Sequence, residues 1–107
     1  MPVDAPLGEF EVVVLMAALH LDGDAFGSAI REQIERRSGR RVSRGSVYIT
    51  LDRLEGKGLL TSKFGEGSAR RGGRPKRLFR VTAAGLKSIR HSIALVARMH
   101  KGLEPLL

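Results

Sequence analysis

Ser43-Arg44-Gly45-Ser46-Val47-Tyr48-Ile49-Thr50-Leu51-Asp52-Arg53-Leu54-Glu55-Gly56-Lys57-Gly58-Leu59 is the stretch on which the reading of this chain turns. Ser43 offers a hydroxyl at the N-cap of a helix. Val47, Leu51 and Leu54 recur at i, i+4 and i+7, so they share one face and point inward. Gly45, Ser46, Ile49, Asp52 and Arg53 fall on the opposite side, with Tyr48 at its edge. Gly56 and Gly58 end the helix.

Upstream of this helix, Phe26, Ile30 and Ile34 form the core stripe of another, flanked by Ala29, which Asp24 is expected to cap and Ser38-Gly39 to stop. The turn between the two is short, polar and rich in Gly, Arg and Ser. Two such helices predict a helix-turn-helix whose second member reads DNA. A first helix is predicted from Leu7, Phe10, Val13, Val14, Ala17, Ala18 and Leu21. Val12, Leu15 and Leu19 fill in between, so this helix is expected to be buried on more than one side. Downstream, Leu59–Phe64 and Lys76–Val81 read as strands joined by a glycine-rich, basic loop over 65–75, a hairpin wing. Thr82 caps a last helix, where Leu86, Ile89, Ile93, Val96, His100 and Leu103 follow alternating steps of three and four. That is a heptad seam, expected to pair with a second copy, with His100 as a polar register residue.

The fold class is therefore mainly α with a small β-hairpin: a winged helix-turn-helix over 1–82 and a dimerisation helix over 83–107, in one compact unit. At 107 residues and 42% hydrophobic, the chain has the size and composition of a single folded domain. The longest apolar run, Val12 to Leu19, is too short to span a bilayer, and Met1-Pro2-Val3-Asp4 lacks the basic start of a signal peptide. A cytoplasmic location is expected, with no membrane partner.

The formal charge is +8, and it is unevenly spread. Residues 1–35 hold only Arg31 against seven acidic residues, whereas 36–57 and 63–80 each hold seven basic ones against two and one acidic. Two concentrated basic blocks are the footprint of a polyanion partner. Arg44, beside the free N–H groups of a helix N-terminus, and Lys57 are expected to hold phosphates. Ser43, Ser46, Tyr48, Ile49 and Arg53 are the expected contacts to bases or adjacent backbone, Ile49 to a thymine methyl. Arg70, Arg71, Arg74, Lys76 and Arg77 supply the wing, where they would reach phosphates or the minor groove. Gly73-Arg74-Pro75 also matches the core of AT-hook peptides. The alternative from another class is a protein-interaction module whose basic wing binds an acidic protein partner.

Enzymatic and metal readings fail on the residues. The chain has no cysteine, which removes thiolate catalysis and cysteine-ligated zinc. Gly65-Glu66-Gly67 lacks the third glycine of a dinucleotide fingerprint, because Arg70 stands there. Gly67 to Gly72 has P-loop spacing, but Gly73-Arg74 replaces the Lys-Ser/Thr pair. The calcium-loop start Asp22-Gly23-Asp24 has Gln33 at its twelfth position. His20, His91 and His100 form no ligand cluster, and no nucleophile, base and orienter can be assembled. No cofactor and no metal are expected.

Four stretches together resemble the PadR family of bacterial transcription regulators over about residues 7–90. They are Leu7-Gly8-Glu9-Phe10-Glu11; Ala25-Phe26-Gly27, with phenylalanine where tyrosine is usual; the helix quoted above, with Ser46 where alanine is frequent; and Gly72-Gly73-Arg74-Pro75-Lys76-Arg77-Leu78-Phe79 followed by Thr82-Ala83-Ala84-Gly85. The resemblance implies a winged-helix homodimer that usually represses nearby genes, in the subgroup with a single dimerisation helix. It implies DNA contact by Tyr48 and its neighbours and places Arg74 and Lys76 in the wing. Some relatives bind aromatic ligands between subunits; this chain has no tryptophan, and its residues name no small-molecule effector.

Overall fold

The computed structural model describes residues 6–65 and 76–107. Three helices come first, α1 (Glu9–Leu21), α2 (Gly27–Ser38) and α3 (Arg44–Gly56), then an antiparallel hairpin of β1 (Leu60–Phe64) and β2 (Arg77–Val81), then α4 (Ala83–His100) and a 3-10 turn over Glu104–Leu106. The hairpin register runs from Leu60 opposite Val81 to Phe64 opposite Arg77. No helix among the described residues is long and apolar enough to cross a membrane.

Local chemistry fixes most boundaries. Glu11 reaches back to accept the Gly8 N–H at 2.9 Å and so closes the first turn of α1. Ser43 Oγ accepts the Ser46 N–H at 3.0 Å, the expected cap of α3. Thr82 Oγ1 accepts the Gly85 N–H at 3.0 Å and donates to the Gly58 carbonyl at 2.8 Å, which ties the start of α4 to the end of α3. Gly85 is required for a different reason: a Cβ there would collide with the Leu59 carbonyl and the Val81 side chain. The helix can therefore cross the base of the hairpin at backbone contact.

Asp24 does not cap α2. Its N–H donates to the Leu21 carbonyl and its own carbonyl accepts from Phe26, so it closes the turn after α1. Ala25 and Phe26 then run extended along the outer edge of β2: Phe26 bridges Leu78, and Phe79 donates to the Ala25 carbonyl at 3.0 Å. The helix begins only at Gly27 because the residues before it are taken by this third, miniature strand.

The core lies where the three helices meet the hairpin. Val14, Leu15, Ile30, Ile34, Val47, Leu51, Leu54 and Leu60 are buried outright, with Phe79 from β2 and Ile89 from α4 beside them. The face of α3 expected to point inward, Val47, Leu51 and Leu54, is completely inaccessible.

The seam on α4 divides. Leu86 is half-buried and Ile89 is 5% exposed, because the first turns of the helix pack on α1 and β2. Ile89 belongs to the core of its own chain, whereas Leu86 is only partly buried and is not part of that core. Beyond Ser92 every residue of α4 is exposed, including Ile93, Leu95, Val96 and Met99. The helix ends at His100, and Gly102 turns the chain with φ 91°. Leu103 is thus off the helix and cannot continue the heptad. His100 is half-exposed, its Nδ1 3.6 Å from a Glu104 carboxylate oxygen.

Candidate nucleic-acid interface

The outward side of α3 is built by the anchoring of its inward side. With Val47, Leu51 and Leu54 locked in the core, Ile49 is held 61% exposed, and Arg44, Gly45, Ser46, Asp52 and Arg53 share the solvent. Ser43 and Ser46 form a small cap network, their hydroxyls 2.7 Å apart. The Arg44 guanidinium stands 5.8 Å over the Tyr48 ring, within reach of a cation–π attraction. Tyr48 itself is half-buried, its ring and hydroxyl against Gly27 at the start of α2. A Cβ at Gly27 would overlap that ring, so the glycine sets how closely α2 approaches α3.

Two cations expected to be free are not. Lys57 donates to Glu11 Oε2 at 2.8 Å, across from α3 to α1. Burial pushes the Glu11 carboxyl up, but the Lys57 ammonium, the Gly8 N–H and the charge of Arg53 together hold it below the usual carboxylate range. Lys57 thus ties α3 to α1 in this structure. Arg77 is engaged more fully. Its Nη1 donates to Asp52 at 2.8 Å, its Nη2 to Glu55 and its Nε to Ser62 Oγ at 3.0 Å, with the Phe79 ring 4.9 Å from the guanidinium carbon. Burial works against its charge, and the two carboxylates outweigh it, raising the guanidinium above its ordinary value.

The basic blocks are therefore less open than their charge count implies. Arg36 pairs with Glu32 and Arg40 with Glu9, the latter pair drawing the Glu9 carboxyl below and the Arg40 guanidinium above their ordinary values. Arg31 Nε donates to the Val42 carbonyl at 2.9 Å and braces the turn between α2 and α3. Among the described residues of the two basic blocks, Arg37, Arg41, Arg44, Arg53, Lys63, Lys76 and Arg80 make no ion pair, with Lys76 lying 5.4 Å over the Phe26 ring. Arg70, Arg71 and Arg74 lie outside the described residues. Sequence reasoning missed the acidic partners Glu11, Asp52 and Glu55. Asp52 and Glu55 stand three apart, a spacing that puts them on neighbouring positions of one helix, but nothing in the spacing says which distant cation they meet. Among the described residues no three His, Asp or Glu side chains stand together as a metal site.

The comparisons with known proteins agree with this architecture. The model of the transcriptional regulator PadR-like family matches residues 15–91. A PadR family transcriptional regulator from Eggerthella lenta superposes with a TM-score of 0.70 at 25% identity, over 92% of this chain and 85% of its own. A PadR family regulator from hypervirulent Clostridium difficile gives 0.69 at 24%, over 89% and 96%. The PcaV transcriptional regulator of Streptomyces coelicolor, solved with its natural ligand, gives 0.71 at 24%, over 94% of this chain and 64% of that one. No curated protein matches.

Proposed function

Because this chain belongs to the PadR-like family of transcriptional regulators, and not to a family of enzymes, we propose that it binds an operator as a homodimer and represses transcription by occupying it. The observation that carries the reading is the two-sidedness of α3: an inaccessible row of Val47, Leu51 and Leu54 behind an outward face of Arg44, Ser46, Ile49 and Arg53. A helix so anchored presents fixed side chains to a major groove, and Ile49, an exposed apolar residue among polar ones, suits a thymine methyl. Tyr48 offers its exposed edge, Ser43 caps and orients the helix, and Arg44 suits a phosphate. Lys76 and the wing arginines Arg70, Arg71 and Arg74 suit phosphates or the minor groove.

Dimerisation is supported by the second half of α4. Ile93 is 52%, Val96 66% and Met99 70% exposed on a helix that stands away from the body, in a molecule 56 Å long and 21 Å thin. A contiguous apolar surface of this kind marks an interaction site. On this reading residues 1–82 form the DNA-binding part and 83–107 the dimer arm, while Ile89 roots the arm in its own domain.

The test is fluorescence anisotropy on a duplex taken from upstream of the protein's own gene and on a scrambled duplex, across a salt series, with sedimentation of the protein alone. Tighter binding to the upstream duplex, a steep salt dependence and a dimer are expected. A protein that binds neither duplex at low salt overturns the proposal and leaves the basic blocks to an acidic protein partner. A clean monomer at micromolar concentration overturns the dimer.

A further inference from the structure

We propose that Arg77 is a positioning residue for DNA recognition: it stays off the DNA and fixes the wing to the reading helix through Asp52 and Glu55. The inference rests on the DNA-binding reading above. It starts from where Arg77 sits, at the first position of β2, on the same strand face as the core residue Phe79 two residues on. From there its three donating nitrogens each have an acceptor. Asp52 and Glu55 come from α3 and Ser62 from β1, and Ser62 Oγ itself donates to the Glu55 carboxylate at 2.9 Å. The planar guanidinium thus joins the reading helix and both strands of the hairpin at one point. Lysine could not do this, because a single ammonium has no fork with which to span two carboxylates and a hydroxyl.

The charges argue the same way. Asp52 is one turn beyond Ile49 and its side chain is 62% exposed, so it stands on the face offered to DNA. A bare carboxylate there would meet the phosphates as a like charge. Arg77 offsets it and draws it toward the hairpin. For Arg77 to take a phosphate instead, it would have to leave Asp52 and Glu55 uncompensated beside the same DNA. The geometry therefore makes the Arg77 cluster a hinge-stop between two reading elements, which sets the angle at which wing and helix meet the duplex together.

Two sets of variants test this, Arg77→Met and Arg77→Lys on one side and the pair Asp52→Asn with Glu55→Gln on the other. The probes are the upstream duplex and the scrambled duplex, titrated by anisotropy across a salt series, after melting curves have shown each variant folded at the assay temperature. Each set should lower the ratio of operator to scrambled affinity by about tenfold, and Arg77→Lys should not rescue it. The Asp52/Glu55 variant is the sharper arm, since it removes one negative charge from the DNA face and a second beside it and is still expected to lose preference. A merely structural role would lower the bound fraction on both duplexes alike and leave the ratio unmoved, which overturns the proposal. So does an Arg77→Met protein that weakens both duplexes equally with a salt slope reduced by about one, the signature of a lost phosphate contact. Wild-type protein that binds no duplex, or has no preference between the two, overturns the DNA-binding reading and this inference with it. Wild-type preference that survives in every variant overturns this inference alone.

Discussion

Glu11→Gln tests whether a charge inside the domain holds α1 to α3. The Glu11 side chain is only 10% exposed, and it accepts from Lys57 at 2.8 Å and from the Gly8 N–H at 2.9 Å. Glutamine keeps an oxygen for Gly8 and loses the charge that meets Lys57. The Lys57 side chain is 37% exposed, so solvent already screens part of the pair. The loss should then be about 1–2 kcal/mol, the range of one charge-assisted hydrogen bond that is partly wet. For a chain of this size that corresponds to a fall of about 5–15 °C in Tm at fixed protein concentration. The pH dependence follows from the direction of the shift. The folded-state pKa of Glu11 lies below its ordinary value of 4.5, so its contribution is complete above that value and disappears as pH falls through the folded value. The gap in Tm between wild type and Glu11→Gln should therefore be widest at neutral pH and close on acidification below the ordinary carboxylate range. Thermal melts followed by circular dichroism at matched concentration measure it. Equal Tm at pH 7, or a gap that stays constant into strong acid, would refute the reasoning.

Four other substitutions probe the remaining contacts. Gly85→Ala should destabilise the fold by about 1–3 kcal/mol in urea unfolding, because its Cβ would meet the Leu59 backbone, which cannot swing aside as a side-chain tip could. Ile93→Asp should abolish the dimer in sedimentation while leaving the monomer folded, since Ile93 is 52% exposed and outside the core; a dimer that persists would place the interface elsewhere. Ile49→Ala should weaken operator binding by up to about 1–3 kcal/mol and spare the scrambled duplex, whereas Arg44→Ala should weaken both and reduce the salt slope by about one.

What the sequence made legible was whatever depends on neighbours along the chain. The Val47, Leu51 and Leu54 face, the caps by Ser43 and Thr82 and both strands come from local periodicity and short-range hydrogen bonds, and each stands within a residue or so of its expected place. Asp24 was misplaced because the signal that overrides it is remote: β2 takes up Ala25 and Phe26 from the far side of the domain. The ion pairs of Lys57 and Arg77 are illegible for the same reason, since a sequence shows their charge and not the carboxylates that fold against them. On α4 the heptad steps were correct as spacing, but the same periodicity serves the chain's own core at Ile89 and open solvent at Val96, and only the packing of α1 distinguishes the two.

The miniature strand at Ala25 and Phe26 bears on how the chain is made. A two-stranded ribbon is marginal in water by itself, and here the strand that steadies it lies about fifty residues upstream of Leu78. Closing that contact joins the first third of the polypeptide to its last third, a non-local pairing of the sort that slows folding. Synthesis delivers the N-terminal helices first. A ribosome-bound chain that has not yet released Phe79 leaves the Ala25 carbonyl to water, because its partner in the finished domain is the Phe79 N–H, while both Phe26 backbone groups are already met locally by Asp24 and Ile30. The domain is thus completed late, by the arrival of β2, and a nascent chain arrested just short of that strand should remain open to protease at the turn after α1 while the finished protein resists.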